Sequence, residues 1–301
     1  MNTLAPSAPR PFTLLGLPPL IVLCLAATWL VWGSTYLAIK FALLSFPPFF
    51  QMGTRFLAAG VLLIAWMRWR GAAWPDRTQW RNALVVGTLM LGAGMGGTAY
   101  AEVTVGSGLV VAFIAVVPLM IAALNLFWGV RPSALETVGI VLGLAGVLLL
   151  TQGAGFQAAP AGLVAIALAC GGWSLGSVLS QRSLPLAPGA MGFASEMLCG
   201  GTVLMAMSAL HGESPAWPPQ PVALAAWLYL VGFGSLIAFN AYMLLLARAP
   251  AALASSYTFV NPVIAMLLGV AIAGEHVTRF EWIAVSVVLA GVLLLLWRRA
   301  R

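Results

Sequence analysis

Long apolar stretches, separated by short polar or charged connections, run from one end of the 301-residue chain to the other. Each stretch is about 20 residues long, the length that a helix needs to cross the hydrocarbon core of a bilayer. The stretches do not alternate polar and apolar residues as the strands of a membrane barrel would. The pattern therefore predicts an all-α integral membrane protein with ten transmembrane helices. These helices lie at about residues 18–39, 47–67, 82–101, 106–127, 134–151, 161–181, 188–210, 223–247, 252–273 and 280–297.

Composition supports a protein that lies almost entirely within the membrane. Hydrophobic residues make up 62% of the chain and charged residues only 7%, with a mean hydropathy of +1.01. A soluble domain has about 25% charged residues, so this chain is unable to cover a water-facing surface. The three cysteines, Cys24, Cys170 and Cys199, lie inside apolar stretches and not beside a histidine. We therefore expect no disulfide, metal site or cofactor.

The positions of the basic residues predict how the chain enters the membrane. With the amino terminus in the cytoplasm, eleven of the 14 lysines and arginines fall on the inner side, Lys40 and Arg279 on the outer side, and Arg55 within a span. This asymmetry predicts an N-in, C-in topology with cytoplasmic tails at residues 1–17 and 298–301. The arginines lie singly between spans, so the net charge of +7 does not indicate a nucleic-acid partner.

The two halves of the chain resemble each other. Matching residues follow in the same order at an offset that rises slowly from 141 to 145, which predicts repeats at residues 18–151 and 161–297. Five helices per repeat is an odd number, so the second copy enters the membrane from the opposite side. Such inverted repeats place a binding site near the membrane midplane and typify secondary transporters. The matching pairs are Trp32 and Trp173, Pro47 and Pro188, Arg55 and Glu196, Tyr100 and Tyr242, and Pro118 and Pro262.

Several short motifs resemble the EamA family of the drug/metabolite transporter superfamily. They are the runs at residues 32–36 (WGSTY), 55–60 (RFLAAG) and 173–174 (WS), and the proline that ends the run at 257–262. The resemblance covers nearly the whole chain. It implies a ten-helix carrier of the bacterial inner membrane, a family in which many members export amino acids or related metabolites. It also implies a cavity lined mainly by helices 1, 3, 4, 6, 8 and 9. Glu102 departs from the family pattern and leaves cationic substrates open.

Two prolines at matching repeat positions are candidate hinges. Pro118 and Pro262 fall near the middle of predicted spans four and nine, where each removes an amide donor and clashes with the carbonyl four residues earlier. In a membrane the freed carbonyl needs a partner from protein, water or substrate. A proline pair therefore predicts a cavity or hinge, and a passive kink used for packing is the alternative.

Polar and aromatic residues deep in the spans are candidates for substrate binding. Tyr257 and Asn261 are four residues apart and share a helix face. Trp32 and Trp173 lie deeper than an interfacial belt, where the rings can attract an ammonium group or stack on an apolar side chain. Packing between the halves is the alternative role. The candidates are Trp32, Ser34, Thr35, Tyr100, Trp173, Ser174, Asn240, Tyr242, Ser256, Tyr257 and Asn261.

Arg55 and Glu196 are the charged residues predicted to lie deepest in the bilayer, at equivalent repeat positions. Because either charge alone is costly there, we predict a structural ion pair that joins the halves. Neither residue belongs to the helices expected to line the cavity. The alternatives are a proton-carrying role for Glu196 and a carboxylate-anchoring role for Arg55.

The sequence as a whole predicts a secondary transporter of the bacterial inner membrane that exports small metabolites by alternating access. Amino acids, neutral or aromatic, are the favoured substrates, and facilitated efflux is favoured because the ion pair leaves no free titratable group at mid-membrane. A proton-coupled antiporter and a carrier of sugar-linked lipids or nucleotides are alternatives. An enzyme is not expected, since the seven acidic residues are scattered along the chain. The expected partners are a small-molecule substrate and the lipid bilayer, and the oligomeric state, a monomer included, is left open.

Overall fold

The computed structural model describes residues 17–105, 110, 113–151, 159–273 and 279–297, and the regular elements within these ranges are helices. The predicted tails, 1–17 apart from Leu17 and 298–301, lie outside the described residues. The helices are α1 Pro19–Ala42, α2 Pro48–Trp69, α3 Arg77–Thr104, α4 Val117–Trp128, α5 Ala134–Thr151, α6 Pro160–Arg182, α7 Ala190–Leu210, α8 Pro221–Arg248, α9 Tyr257–Ala273 and α10 Arg279–Trp297.

The predicted all-α membrane protein is confirmed at this coarse level. Among the described residues, six helices are long and apolar enough to cross a membrane, namely α1, α2, α3, α6, α7 and α8. Shorter apolar segments occur within α4, α5 and α10. The observed bounds differ from the predicted spans by a few residues, except in α4 and α9. Ten membrane crossings stay a prediction.

Proline sets where several helices begin. It occupies the first or second position of α1, α2, α6 and α8. At those positions the missing amide hydrogen removes no helical hydrogen bond and the fixed φ suits the helix. The polar start of α3 is fixed differently, by a capping box in which Asp76 accepts from the Gln79 amide at 2.8 Å and Gln79 accepts from the Asp76 amide at 3.0 Å.

Two pairs of helices pack antiparallel along glycine seams. Along α2 and α7, Gly60 faces Leu198, Leu57 faces Gly201 and Gly53 faces Met205. Along α5 and α10, Gly139 faces Leu295, Gly143 faces Gly291 and Gly146 faces Val288. In both seams one residue number falls as the other rises, which defines the antiparallel direction. The small residues let the backbones approach closely, as is typical of membrane helices.

Helices α3 and α8 each contain a π-helical segment. The segments are Thr88–Gly96 in α3 and Leu230–Phe239 in α8, so they begin 142 residues apart. π-helical segments are rare in proteins, and those that occur are often found at functional sites. The segment of α3 packs mainly against α6, and that of α8 packs mainly against α1 and α2.

Helices α4 and α9 start later than predicted because the chain turns within each predicted span. The chain turns at residues 115–116, and α4 then begins with Pro118 in its second position, not at mid-helix. The expectation of a continuous span at 106–127 with a central proline is therefore wrong. In predicted span nine, the helical turn Ala251–Ala254 is followed by a turn at 255–256. Pro262 does lie inside α9, as predicted.

The glycine seam between α5 and α10 predicts a specific effect on stability. A Cβ atom at Gly291 would lie 2.7 Å from the amide nitrogen of Gly143 and 2.8 Å from the carbonyl oxygen of Gly139. Because backbone atoms have little room to move, we expect Gly291→Ala to separate the helices at a cost of about 1–3 kcal/mol. Thermal unfolding in detergent should then show a Tm lower by several degrees.

Gly232→Ala is the matched control, because a Cβ atom at Gly232 would meet nothing within 4 Å. Alanine also has the higher helix propensity, so this variant should unfold at or above the wild-type temperature. Equal Tm values for Gly291→Ala and Gly232→Ala would show that the seam is not tightly packed.

Candidate functional site

A cavity lies among α1, α2, α3, α4, α6 and α9, at the two places where the chain turns before α4 and α9. It contains about 70 Å³ of free space. Non-helical backbone at membrane depth is tolerated where it is buried or lines such a cavity. The lining residues are Trp32, Thr35, Tyr36, Ile39, Met52, Arg55, Gly94, Met95, Thr98, Ile114, Val117, Ala169, Cys170, Trp173, Tyr257 and Asn261.

Four aromatic side chains from α1, α6, α8 and α9 form one cluster beside the cavity. We call Trp32, Trp173, Tyr242 and Tyr257 the aromatic cluster. The ring centroid of Trp32 lies 5.7 Å from that of Trp173, 5.3 Å from that of Tyr242 and 4.7 Å from that of Tyr257. All four side chains are less than 9% exposed. Edge-to-face contacts of this kind add stability beyond the area they bury.

Each tryptophan of the cluster rests on the π-helical segment of the other half of the chain. The indole Nε1 of Trp32 donates to the Gly234 carbonyl of α8 at 3.2 Å. On the other side, Trp173 packs so closely on Gly94 of α3 that a Cβ there would lie 3.1 Å from its Cε3 atom. A larger residue at position 94 would push the Trp173 ring away, so Gly94 allows the two tryptophans to meet.

A buried hydrogen-bond network fixes Trp173. Its Nε1 donates to the Tyr242 hydroxyl at 3.1 Å. Ser177 Oγ donates to the Trp173 carbonyl at 2.7 Å and lies 2.9 Å from the Tyr242 hydroxyl. Since the Ser177 proton is already used, Tyr242 donates in the latter bond. Tyr242 is fully buried and does not line the cavity; it supports Trp173 from behind.

Arg55 is a fully buried cation at the cavity wall. Its Nε donates to Ser235 Oγ in the π-helical segment of α8 at 2.7 Å, and Nη1 lies 3.5 Å from Met52 Sδ. Its Nη2 has no hydrogen-bond partner among the described residues and lies beside Gly234. The sequence analysis did not place Arg55 among the lining residues. Contacts of Nε and Nη1 therefore hold the guanidinium in place, while Nη2 is available to donate to a ligand.

Arg55 and Glu196 do not form the predicted pair. Both oxygens of Glu196 lack a hydrogen-bond partner among the described residues. The register of the α2–α7 seam explains the separation, because it places Arg55 opposite Val203, seven residues beyond Glu196. Seven residues correspond to about 10 Å along a helix axis. The pair was predicted from the depths of Arg55 and Glu196 below the span ends, and these depths do not reveal the register between the two helices.

Other predicted residues divide between the cavity and its surroundings. Thr35, Tyr257 and Asn261 line the cavity together with the two tryptophans, and the Asn261 Oδ1 atom has no partner among the described residues. Ser34 lies outside it and contacts the Tyr229 hydroxyl at 2.6 Å.

Four further candidates face away from the cavity. Ser256 accepts from Trp29 Nε1 at 3.0 Å, which ties α1 to the start of α9. Ser174 is fully buried without lining the cavity. Tyr100 stacks on Phe49 with ring centroids 5.7 Å apart. Asn240, in the carboxyl-terminal half of α8, lines a groove that is separate from the cavity.

Neither candidate hinge is a lining residue of the cavity, but each directly follows one. Pro118 is buried at the start of α4, next to the lining residue Val117, and it also lines a second, larger pocket. Pro262 follows Asn261 directly within α9. The structure therefore places both prolines next to lining residues, and their role as hinges stays a prediction.

Sequence reasoning missed most of the apolar lining and two hydroxyl-bearing residues, Tyr36 and Thr98. Tyr36 is one turn beyond Trp32 on α1, so helical spacing of four residues from a candidate would have found it. Thr98 is one turn beyond Gly94 on α3, which was not a candidate. Met52 and Cys170 lie three residues from Arg55 and Trp173 and follow by the same rule.

Two further pockets lie at the helix ends that the charge pattern places in the cytoplasm. The inner pocket, about 650 Å³, is lined by residues at the end of α4, around the start of α5 and at 249–252 before α9, Asn125 and Arg131 among them. The inner groove, about 560 Å³, is lined by Ala190 and Phe193 of α7 and Asn240 of α8. Neither of them shares a lining residue with the cavity, and the aromatic cluster is centred on the cavity side.

The site suits binding rather than bond-making chemistry. It combines a fixed guanidinium, an unpaired amide oxygen and aromatic faces in a buried cavity. In the part of the chain that the structure describes, no group of three or more histidine, cysteine or acidic side chains is arranged to hold a metal ion. Arginine with a free donor suits a carboxylate, and aromatic faces suit an apolar or cationic group.

Comparison with known proteins identifies relatives over nearly the whole chain. The EamA-like transporter family matches twice, at residues 19–152 and 160–297. The uncharacterized inner membrane transporter YedA of Escherichia coli strain K12 is 40% identical over 271 residues, 90% of this chain and 88% of that protein. Protein PecM of Dickeya dadantii is 27% identical over 88% of each chain. A solved crystal structure with 23% identity superposes with a TM-score of 0.77, covering 94% of this chain and 99% of the other, which shows a common fold.

The support of Trp173 by Tyr242 predicts a stability difference between two tryptophans. Trp173→Phe removes both the indole donor and part of the ring that fills the cluster, so we expect a loss of about 1–3 kcal/mol. Trp66→Phe is the matched control, because Trp66 is 54% exposed near the end of α2. Thermal unfolding in detergent should show a clear decrease in Tm for Trp173→Phe only. Equal shifts for the two variants would contradict a structural role for the cluster.

Proposed function

The chain belongs to the EamA-like transporter family, and from that premise we propose that it exports small metabolites across the bacterial inner membrane by alternating access. Amino acids, neutral or aromatic, are the proposed substrates. The observation that carries the substrate proposal is the free Nη2 donor of Arg55, buried at the wall of a cavity that two tryptophans and a tyrosine also line. Inner-membrane location is supported by YedA, which is named an inner membrane transporter.

The proposed transport cycle rests on two inverted five-helix repeats. The family matches the chain twice, and the two π-helical segments begin 142 residues apart, close to the repeat offset. Helices at equivalent repeat positions, α2 with α7 and α5 with α10, pack antiparallel to each other. A pseudo-two-fold axis in the membrane plane requires this arrangement. It is the architecture in which one half rocks against the other around a fixed site.

The positions of the pockets support alternating access. The cavity is lined by residues near the ends of α1 and α3 that the topology places outside, Ile39 and Thr98 among them. The inner pocket and the inner groove lie at the opposite ends of the helices. The aromatic cluster lies at mid-helix between these levels. We propose that repacking of the cluster connects the cavity to one side and then to the other.

The cavity suits a small zwitterion with an apolar side chain. The substrate carboxylate binds Arg55 Nη2, an arrangement that charge-assisted hydrogen bonds favour. The aromatic cluster contacts the apolar or cationic part of the substrate. With about 70 Å³ of free space, the cavity suits a small ligand of amino-acid size better than a lipid-linked sugar. Phosphate-bearing substrates would recruit several cations, whereas the described lining contains Arg55 alone.

The case for facilitated efflux is weaker than the sequence suggested. It rested on an ion pair that would leave no free titratable group at mid-membrane. Because Glu196 has no hydrogen-bond partner among the described residues, that premise does not hold.

Counterflow in proteoliposomes tests the proposed function. Vesicles loaded with an unlabelled amino acid should accumulate the same labelled amino acid transiently, in a saturable manner, which a channel would not do. A panel of neutral and aromatic amino acids should show activity with some of its members. Lack of counterflow with every amino acid tested would refute the proposed substrate class.

Arg55 provides a sharper test of substrate binding. Arg55→Gln removes the charge-assisted hydrogen bonds to the carboxylate, each worth about 1.5–3 kcal/mol, so the KM of an amino acid should rise at least tenfold. Transport of the corresponding amine, which lacks the carboxylate, should change much less. The matched control is Arg68→Gln, at the exposed end of the same helix, which should leave both KM values unchanged. An unchanged KM in Arg55→Gln would exclude Arg55 as the anchor.

A further inference from the structure

Glu196 is a buried carboxyl group that the proposed substrate site does not use. It lies in α7, six residues after Ala190, and is 0% exposed. Neither of its oxygens has a hydrogen-bond partner among the described residues. A carboxylate anion without partners inside a membrane protein is costly, because nothing replaces the water it has lost. A bound proton removes the charge and most of that cost.

In the part of the chain that the structure describes, no cation lies close enough to Glu196 to stabilise an anion. From α3, the residues that face this part of α7 are Gly87 and Leu91, which carry no charge. From α2, the seam register places Arg55 about 10 Å further along the axis. From α8, the Tyr242 hydroxyl lies within electrostatic range, and on α7 itself Cys199 does so. These two groups are neutral at physiological pH unless strongly activated.

Glu196 lies between the cavity and the inner groove. Towards the cavity, Tyr242 accepts a hydrogen bond from Trp173, which lines the cavity. Towards the cytoplasm, Phe193 lines the inner groove and lies one helical turn before Glu196 on α7. Repacking of the aromatic cluster or a small opening at the groove is therefore sufficient to bring water to the carboxyl group.

We propose that Glu196 is the proton-binding site that couples proton entry to substrate export, a proposal that rests on the proposed function. In the conformation described, Glu196 carries the proton. When the inner side opens, water in the inner groove takes the proton and the carboxylate becomes hydrated. After the substrate leaves on the outer side, a proton arriving through the cavity returns to Glu196. Each cycle then moves one proton inward as one substrate moves outward.

Proteoliposomes separate coupling from transport. Counterflow without a pH gradient measures the substrate cycle, and uptake driven by an imposed pH gradient measures coupling. In the wild type, we expect the gradient to accelerate transport several-fold. Glu196→Gln, which mimics the protonated side chain, should keep counterflow within about threefold of the wild type but lose the response to the gradient. Glu196→Gln that keeps the full gradient response would overturn the proposal.

Glu102→Gln is the matched control. Glu102, near the carboxyl-terminal end of α3, also has carboxylate oxygens without a hydrogen-bond partner among the described residues. It is therefore the rival proton site. If Glu102→Gln loses the gradient response and Glu196→Gln keeps it, proton coupling belongs to Glu102 and the proposal is overturned. Absence of counterflow in the wild type would count against the proposed function, not against the proton site.

Infrared spectroscopy tests the proton site without any substrate. In wild-type protein reconstituted in lipid at neutral pH, a protonated glutamic acid gives a carboxyl carbonyl band that shifts when glutamate is labelled with ¹³C in the carboxyl group. We expect this band in the wild type and in Glu102→Gln. Its absence in the wild type, or its loss in Glu102→Gln, would refute the proposal even if Glu196→Gln does not fold.

Discussion

The contact between Trp32 and Trp173 is the interaction on which the site depends. Their centroids are 5.7 Å apart, and each ring rests on a π-helical segment from the other half of the chain. Gly94 leaves room for the Trp173 ring, and the Gly234 carbonyl accepts from Trp32. The aromatic cluster and the cavity beside it are built around this contact. Arg55 depends on it as well, because the α8 segment that contacts Trp32 also supplies Ser235, the hydrogen-bond acceptor of the guanidinium.

This arrangement places irregular backbone where membrane proteins tolerate it. The two π-helical segments and the two turns before α4 and α9 all lie beside the cavity or the aromatic cluster. Outside this region, glycine seams join helices of the two halves, α2 to α7 and α5 to α10.

Much of this was predictable from the sequence, and the rest has identifiable physical reasons. Apolar stretches of bilayer length predicted the helices, and ordered matches predicted Trp32 and Trp173 as counterparts. The turn at 115–116 was missed, because a proline indicates a break without showing whether the helix bends or begins anew. The Arg55–Glu196 pair was wrong, because glycine contacts between helices set the register. Neither effect leaves a periodic signal in one chain.

The central claim is that the two halves cross the membrane in opposite directions, so that equivalent loops face opposite sides. Single cysteines at Leu44, between α1 and α2, and at Ser183, between α6 and α7, test it directly in a background with the native cysteines replaced by alanine. Both positions are exposed. A membrane-impermeant thiol reagent should label Leu44→Cys only from outside and Ser183→Cys only from the cytoplasmic side. Labelling of both from the same side would contradict the account.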